Sequence, residues 1–281
     1  MSSEREEQLE SLVEAVLASP KYRQVSADLV RAIAEQEIAK RQNTKETVKA
    51  IKNRLHQAGG AYQSGKETYV KWLAELNAAL QSGNRETLLA TSQRIMSHHA
   101  STRERLPILD RFYSTIFASL PPVSSVIDVA CGLNPLALPW MPLAPGATYV
   151  ACDIYADMID FLNGFFALLQ KQSEAAIAGS AQVRNILTSC PAEHADVAFV
   201  LKTIPCLEQV DKAAGHRLLH ALNADYLVVS FPVHSLGGRN KGMLTNYERH
   251  FRELIEGESW EIQRIEFPGE LVFLVKKEVG G

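Results

Sequence analysis

The sequence predicts an α/β fold: a Rossmann-like, doubly wound C-terminal domain behind a helical N-terminal domain. Three observations predict it. Up to about position 120 the apolar residues recur at helical spacing. From Ser124 onward, short apolar runs are separated by helical segments, the grammar of parallel strands joined by right-handed crossovers. Two of those runs close on acids, Asp128 and Asp153, with a tight turn at Cys131-Gly132 between them. Strand-end acids about twenty residues apart across a glycine turn are how a doubly wound sheet holds a nucleoside-bearing cofactor.

The helical half divides by its caps and breakers. Ser3 with Glu6 makes a capping-box pattern before Leu9, Leu12, Val13, Val16 and Leu17, and Pro20 stops that helix. Ser26 caps a second helix whose face is Leu29, Val30, Ile33, Ala34 and Ile38. Thr44-Lys45-Glu46-Thr47 opens a third, running to Leu55 and ended by Gly59-Gly60. A fourth covers Glu67 to Leu80, a fifth Arg85 to Ser97, and a sixth Thr102 to Leu120, before Pro121-Pro122. The boundary between the domains, 1–120 and 121–281, falls there.

In the second half the strands are Val126–Ala130, Tyr149–Cys152, Val197–Leu201 and Tyr226–Phe231, with a further strand ending near Arg184. Ala156–Leu169 and Leu207–Leu222 are the intervening helices. Ser235 to Met243 reads as a long glycine-bearing loop. Trp260–Phe267 and Leu271–Lys276, joined at Pro268-Gly269, read as a terminal β-hairpin. A parallel sheet finished by an antiparallel hairpin is the habit of class I S-adenosylmethionine (SAM)-dependent methyltransferases rather than of dinucleotide dehydrogenases. The turn agrees. A dinucleotide loop needs G-x-G-x-x-G so that backbone can approach a pyrophosphate, and only Gly132 is present here. A cofactor without phosphates tolerates that, and SAM is such a cofactor.

Composition narrows the class. The chain has 281 residues, room for one large domain or two modest ones. No apolar run is long enough to cross a bilayer, and the polar, acidic start is neither a signal nor a transit peptide. Cys131, Cys152, Cys190 and Cys206 form no CxxC pair and no metal spacing, which points to reduced thiols in the cytoplasm and to no bound metal. The net charge of −3 is unevenly spread. Residues 21–72 carry seven Lys and four Arg against five acids, whereas residues 123–281 carry twelve bases against eighteen acids. A basic helical segment joined to an acidic half either meets a polyanion or is a solvated helix face.

Individual residues carry the chemistry. Asp128, near the end of an apolar strand, needs donors, supplied by loop amides around Gly132 or by a cofactor ammonium. Asp153 is placed to accept from both ribose hydroxyls. Asn185 can accept from an adenine amine, with Ile186 as the apolar wall. Pro205-Cys206 follows a strand as the nucleophilic pair of cytosine-C5 methyltransferases does, but without that family's glutamate partner motif; a helix start with Pro near N1 and a small buried Cys is the favoured reading. The Asn/Asp-Pro-Pro-Tyr motif of exocyclic-amine methyltransferases is absent, and Phe231-Pro232-Val233-His234 only faintly resembles it. No acid–base pair is evident, so no catalytic residue is assigned. The loop bearing Arg239, Lys241 and Met243 could order around a phosphate backbone and position a flipped base.

Three stretches together resemble one family: His99-Ala100-Ser101-Thr102-Arg103-Glu104-Arg105, Ala130-Cys131-Gly132-Leu133-Asn134-Pro135, and Ser230-Phe231-Pro232 with Gly237-Gly238-Arg239-Asn240-Lys241-Gly242-Met243. Arg54-Leu55-His56 and Gly60-Ala61-Tyr62 extend the likeness into the helical half. The sequence is similar to the aminoglycoside-resistance 16S ribosomal RNA methyltransferases that modify N7 of guanine-1405. The resemblance implies a helical domain that docks on the assembled 30S subunit and a SAM-binding domain behind it. It implies that Arg105 clamps the methionine carboxylate, with Tyr62, His99, Ala100 and Ser101 lining that end. Ala130 and Gly132 would touch the cofactor at the turn, Asp153 would bind the ribose, Asn185 and Ile186 the adenine, and Leu201 would line the floor. The implied RNA contacts are Lys45, Lys49, Lys52, Arg54, Lys66, Lys71, Arg239 and Lys241; the first three fall at i, i+4, i+7 on one helix face. A monomer is expected. The competing readings are a SAM methyltransferase for another RNA site, such as N1 of adenine-1408, and a non-catalytic SAM- or RNA-binding protein.

Overall fold

The computed structural model describes residues 3–41, 43–59, 69–172, 177–233 and 240–277. The helical half comprises α1 (Ser3–Leu17), α2 (Ala27–Ile38), α3 (Thr44–Ala58), α4 (Tyr69–Gln81), α5 (Arg85–Met96), α6 (Ala100–Arg105) and α7 (Leu109–Phe117). Then come β1 (Ser125–Val129), β2 (Thr148–Asp153), α8 (Ala156–Gln170), β3 (Ala178–Val183), β4 (Ala195–Leu201), α9 (Ile204–Leu207), α10 (Ala214–Ala221), β5 (Ala224–Pro232), α11 (Asn240–Leu254), β6 (Glu261–Phe267) and β7 (Glu270–Lys276).

The seven strands lie in the order β3-β2-β1-β4-β5-β7-β6. The first five run parallel, and β7 enters antiparallel between β5 and β6. The order reverses at β1/β4, so a crevice opens beyond the C-terminal ends of those two strands, where such sheets bind ligands. Burial on both faces explains why β4 and β5 read as nearly unbroken apolar runs.

Four expectations are corrected. Residues 102–120 are not one helix: α6 stops at Arg105, Leu106–Ile108 form a 3₁₀ turn, and α7 follows. Pro107 is the cause, since it has no N–H to give and crowds the preceding turn. Residues 207–222 also divide, because the Asp211 carboxylate accepts the Ala213 N–H at 3.0 Å and competes with the helix for it. Ser26 precedes α2 but makes no side-chain cap; its backbone N–H instead donates to the Ile154 carbonyl at 2.7 Å. Residues 240–243, expected in the loop, are the first turn of α11. For α3 the capping side chain is Asn43, whose oxygen accepts from Lys45 N at 2.9 Å.

The two halves share one apolar core, running from Leu9, Val30 and Ile33 through Trp72 and Ile95 to Phe161 and Phe199. α4 lies on α8: Tyr69 stacks on Phe161 with ring centroids 5.2 Å apart. A Cβ at Gly164 would stand 2.7 Å from Leu73 Cδ2, so glycine lets Leu73 of α4 lie close against α8. Val25 bridges Tyr155, and the Ala156 N–H donates to the Gln24 carbonyl at 2.8 Å. The helical half is therefore stitched to the loop that directly follows Asp153.

Candidate functional site

A cavity of about 890 Å³, its open mouth included, lies over the ends of β1, β2 and β4. Its walls include Ala130, Asp153, Asn185, Leu201 and Lys202, and the helical half closes one side with Leu29 and Gly59. The backbone is strained where it turns under this cavity. Ala130 has φ 50° and Lys202 has φ 57°, left-handed values that cost a residue with a Cβ roughly 1–2 kcal/mol. Gly132 has φ 51°, and a Cβ there would sit 2.6 Å from His99 Cε1. That explains the single glycine in the turn: histidine, not phosphate, occupies the space beside it.

Asp153 is buried and accepts from Gly132 N at 2.9 Å and Ile154 N at 2.7 Å. Burial pushes its carboxyl up, and these amides oppose the shift. Each carboxylate oxygen retains acceptor capacity for a diol in the cavity. Gly132 itself is not part of the wall, because its N–H is turned onto Asp153; Ala130 and Cys131 form the wall instead.

The protein donors on Asp128 are side chains rather than the backbone amides of the turn. Tyr149 donates its hydroxyl at 2.6 Å and Asn134 its amide at 2.9 Å. Burial pushes this carboxyl up to about 6 against those hydrogen bonds. Asn134 then accepts from Tyr113 Oη at 2.5 Å and from Arg105 Nη1 at 3.1 Å, so Asp128 anchors a polar scaffold.

Arg105 is wholly buried, with its guanidinium 4.5 Å from the Phe112 ring centre. Its Nε donates to Glu270 Oε2 at 3.1 Å and its Nη2 to Glu270 Oε1 at 2.6 Å. With the bond to Asn134, part of its donor fork remains for a ligand carboxylate. Lys202 lies next to it, with Nζ 2.8 Å from Glu104 and 3.4 Å from Glu270. His99 lines the same end; burial, then the charges of Arg105, Arg103 and Lys202, lower its imidazole to about 4 and keep it neutral. Ser101 lines the wall as expected, whereas Ala100 only opens α6 and is not among the lining residues.

At the opposite end, Ile186 and Leu201 are buried lining residues. Asn185 is buried too, but its polarity differs from the expectation. Its oxygen accepts from Leu187 N at 3.2 Å, and its buried Nδ2 has no hydrogen-bond partner. The polar group left without a partner on this lining residue is therefore a donor. An unmade buried hydrogen bond costs about 1–3 kcal/mol, which a ligand acceptor would relieve.

The sequence reading missed Lys202, Glu104 and Glu270. A faint signal existed: each of Lys202 and Glu270 is a charge abutting an apolar strand run. Cys206 lines the cavity half-buried, its thiol directed to the Lys202 carbonyl at 3.7 Å, and Pro205 stands in the first turn of α9.

Of the basic residues, Lys45 and Lys49 are exposed on α3, Lys52 is half-exposed, and none of the three makes an ion pair with another described residue. Lys21, 3.2 Å from His56, extends this face. Arg54 does not join it. Its guanidinium turns inward to Glu37 at 3.0 Å, to Gln36 at 2.7 Å and to the Val210 carbonyl, so it ties α3 to the cavity wall. Lys71 is exposed, with Glu75 at 4.0 Å. Tyr62, Lys66, Arg239 and the Lys241 side chain lie outside the described residues, and Met243 is half-buried on α11.

The family model described as ribosomal RNA methyltransferase (FmrO) matches residues 18–274. The chain is 36% identical over 278 residues to a 16S rRNA (guanine(1405)-N(7))-methyltransferase of Micromonospora rosea, covering 98% of this chain and 99% of that one. It is 37% identical over 264 residues to one of Serratia marcescens, covering 94% and 96%. Among solved structures it resembles the 16S rRNA methyltransferase RmtF in complex with S-adenosyl-L-homocysteine, with TM-score 0.77, 30% identity, and coverage of 99% of this chain and 100% of that one. It also resembles the 16S rRNA methylase RmtB, with TM-score 0.75, 31% identity, and coverage of 96% and 98%.

Proposed function

Because the chain belongs to the ribosomal RNA methyltransferase (FmrO) family, we propose that it works on the assembled 30S subunit, docking through its basic helical face and delivering guanine to the cavity at the strand ends. The reaction is SAM-dependent methylation of N7 of guanine-1405 in 16S rRNA, a modification that confers aminoglycoside resistance.

The observation that carries this reading is how the cavity wall is sorted. An acid at the end of β2, Asp153, suits a ribose diol. A buried amide donor beside Ile186 and Leu201 suits the ring nitrogen of an adenine. The spare fork of Arg105 suits a carboxylate. These groups fit SAM, which when bound supplies a methyl group on an electrophilic sulfonium. In our reading Asp153 holds its ribose, Asn185 and Ile186 its base, and Arg105, with Tyr62, His99 and Ser101, its amino-acid end.

The chain needs no general base for this reaction, because guanine N7 already carries an in-plane lone pair at neutral pH. That accords with the site: His99 is kept neutral and buried, and Asp128 is committed to Tyr149 and Asn134. The work of these residues is to align, exclude water and surround the reacting groups with fixed dipoles. N7 of a stacked guanine is hard to reach in the deep groove of RNA, so the base is extruded, with Arg239, Lys241 and Met243 positioning it. We place residues 1–120 as the docking part and 121–281 as the methyl-transferring part of a cytoplasmic monomer.

The test is methyl transfer from labelled SAM to isolated small subunits, with the modified base located by arrested reverse transcription. No transfer to small subunits would sink the proposal. Cells expressing the enzyme should resist 4,6-disubstituted deoxystreptamines and stay sensitive to apramycin; apramycin resistance would point to adenine-1408 instead.

A further inference from the structure

Glu270 reaches the site from the far end of the chain. The turn at Pro268-Gly269 puts it opposite Pro232 at the top of β7, and the Gly269 carbonyl, at φ 84°, accepts the Val233 N–H at 2.9 Å. There its carboxylate is shared by the two fully buried cations of the cavity, Arg105 at 2.6 Å and Lys202 at 3.4 Å; Arg184, the third cation of the lining, is only half-buried. The side chain is only 1% exposed, while Glu104, the other acid on Lys202, is 32% exposed and partly screened by solvent. Burial alone would raise the Glu270 carboxyl, but Arg105 and Lys202 hold it below its ordinary value, so it stays ionised.

The consequence concerns ligand charge. SAM carries a carboxylate, an ammonium and a sulfonium. Its demethylated product, S-adenosylhomocysteine, has the same ends but a neutral sulfur. Two buried cations would draw in the carboxylate common to both ligands, yet they would repel the sulfonium that only the donor carries. We propose that Glu270, the buried acid paired with both Arg105 and Lys202, is the counter-charge that offsets these two cations so that the cavity accepts a sulfonium, and thereby sets its discrimination between methyl donor and demethylated product, beside the buried carboxylates Asp128 and Asp153. The proposal rests on the SAM reading above. In it Glu270 is a positioning and charge-setting residue, not a participant in bond making.

The experiment is calorimetric titration of the full chain with SAM and with S-adenosylhomocysteine. Glu270→Gln keeps shape and removes charge; the ratio Kd(SAM)/Kd(S-adenosylhomocysteine) should rise by about tenfold, the order one unit charge produces across several ångströms of partly screened protein. Glu270→Asp keeps the charge and should leave the ratio near that of the native chain. Lys202→Gln removes a positive charge from the same cluster and should move the ratio the opposite way. A folded Glu270→Gln variant with an unchanged ratio overturns the proposal, including the case where both affinities fall by one factor, which marks a purely structural role. Should that variant not fold, the sign of the Lys202→Gln shift decides. Failure of the native chain to bind either ligand would refute the cofactor reading itself, a result distinct from an unchanged ratio.

Discussion

Asn185 shows how much of the site depends on single atoms. Its position at the end of β3 was legible from spacing, but which of its two polar atoms faces the cavity was not, because that depends on the Leu187 N–H taking the oxygen. If Nδ2 donates to a ring nitrogen of adenine, Asn185→Asp removes the donor and should weaken SAM binding about tenfold, the loss of roughly one hydrogen bond with its partner left buried. Tighter binding would mean that the residue serves as an acceptor for the amine. Asp128 makes a prediction about pH. Its carboxyl is held up to about 6 from 3.8, mainly by burial. The folded chain therefore keeps a proton that the unfolded chain releases, and this group's contribution to stability falls as pH rises from about 4 to about 6. Asp128→Asn should flatten that fall, seen as a gain in melting temperature relative to the native chain that is larger at pH 7 than at pH 4.5. An equal difference at both pH values would contradict it. The sequence revealed Asp128 as a buried acid in want of donors; it could not reveal that Tyr149 and Asn134 supply them, since Tyr149 comes from the neighbouring strand and Asn134 reaches back only through the path of the turn at Cys131-Gly132.

At the scale of elements, α3 presents its charge on one face. Lys45, Lys49 and Lys52 share that face by helical geometry, and exposure leaves them available to phosphates. Changing all three to Glu should weaken binding to the small subunit by at least about tenfold and reduce the slope of affinity against salt, while SAM affinity stays as it was. Intact subunit binding would rule this helix out as the docking face. Periodicity disclosed α1 to α5, β1, β2, β4, β5 and the terminal hairpin to within a few residues. It failed where a local feature outweighed the apolar pattern: at Pro107 between α6 and α7, at Asp211 before α10, and at Asn240, where glycines on either side disguised the start of α11. The hairpin was visible as two apolar runs around Pro268-Gly269, yet its part in the site was not, because only the sheet order brings β7 beside β5.

At the scale of the whole molecule the helical half and the sheet behave as one body. α2 supplies Leu29 to the cavity wall, Gln24 to Ser26 pair with the loop after Asp153, and Arg54 joins Glu37 of α2 to the Val210 carbonyl. Its neighbours in sequence place Arg54 among the RNA contacts, and its inward turn is invisible there because Val210 lies 156 residues away. Arg54→Ala should lower the melting temperature and SAM affinity together, since a lining residue loses its tether and the buried Glu37 loses one of its cations. Subunit binding should fall less than in the α3 variant. Loss of subunit binding with SAM affinity and stability intact would return Arg54 to the RNA-facing set.

The Arg105–Glu270 pair also imposes an order in time. The two residues are 165 positions apart, so during synthesis Arg105 leaves the ribosome first and waits roughly ten to thirty seconds for its acid at ordinary elongation rates. The helical half and the strands up to β5 can assemble in that interval, but β7 has not yet entered the sheet and Arg105 still lacks the acid that pairs with it. A nascent chain halted before residue 270 would thus present its basic helical face without a completed cofactor cavity. On the function proposed above, competence to modify ribosomes would come only after the hairpin has emerged from the one that made it.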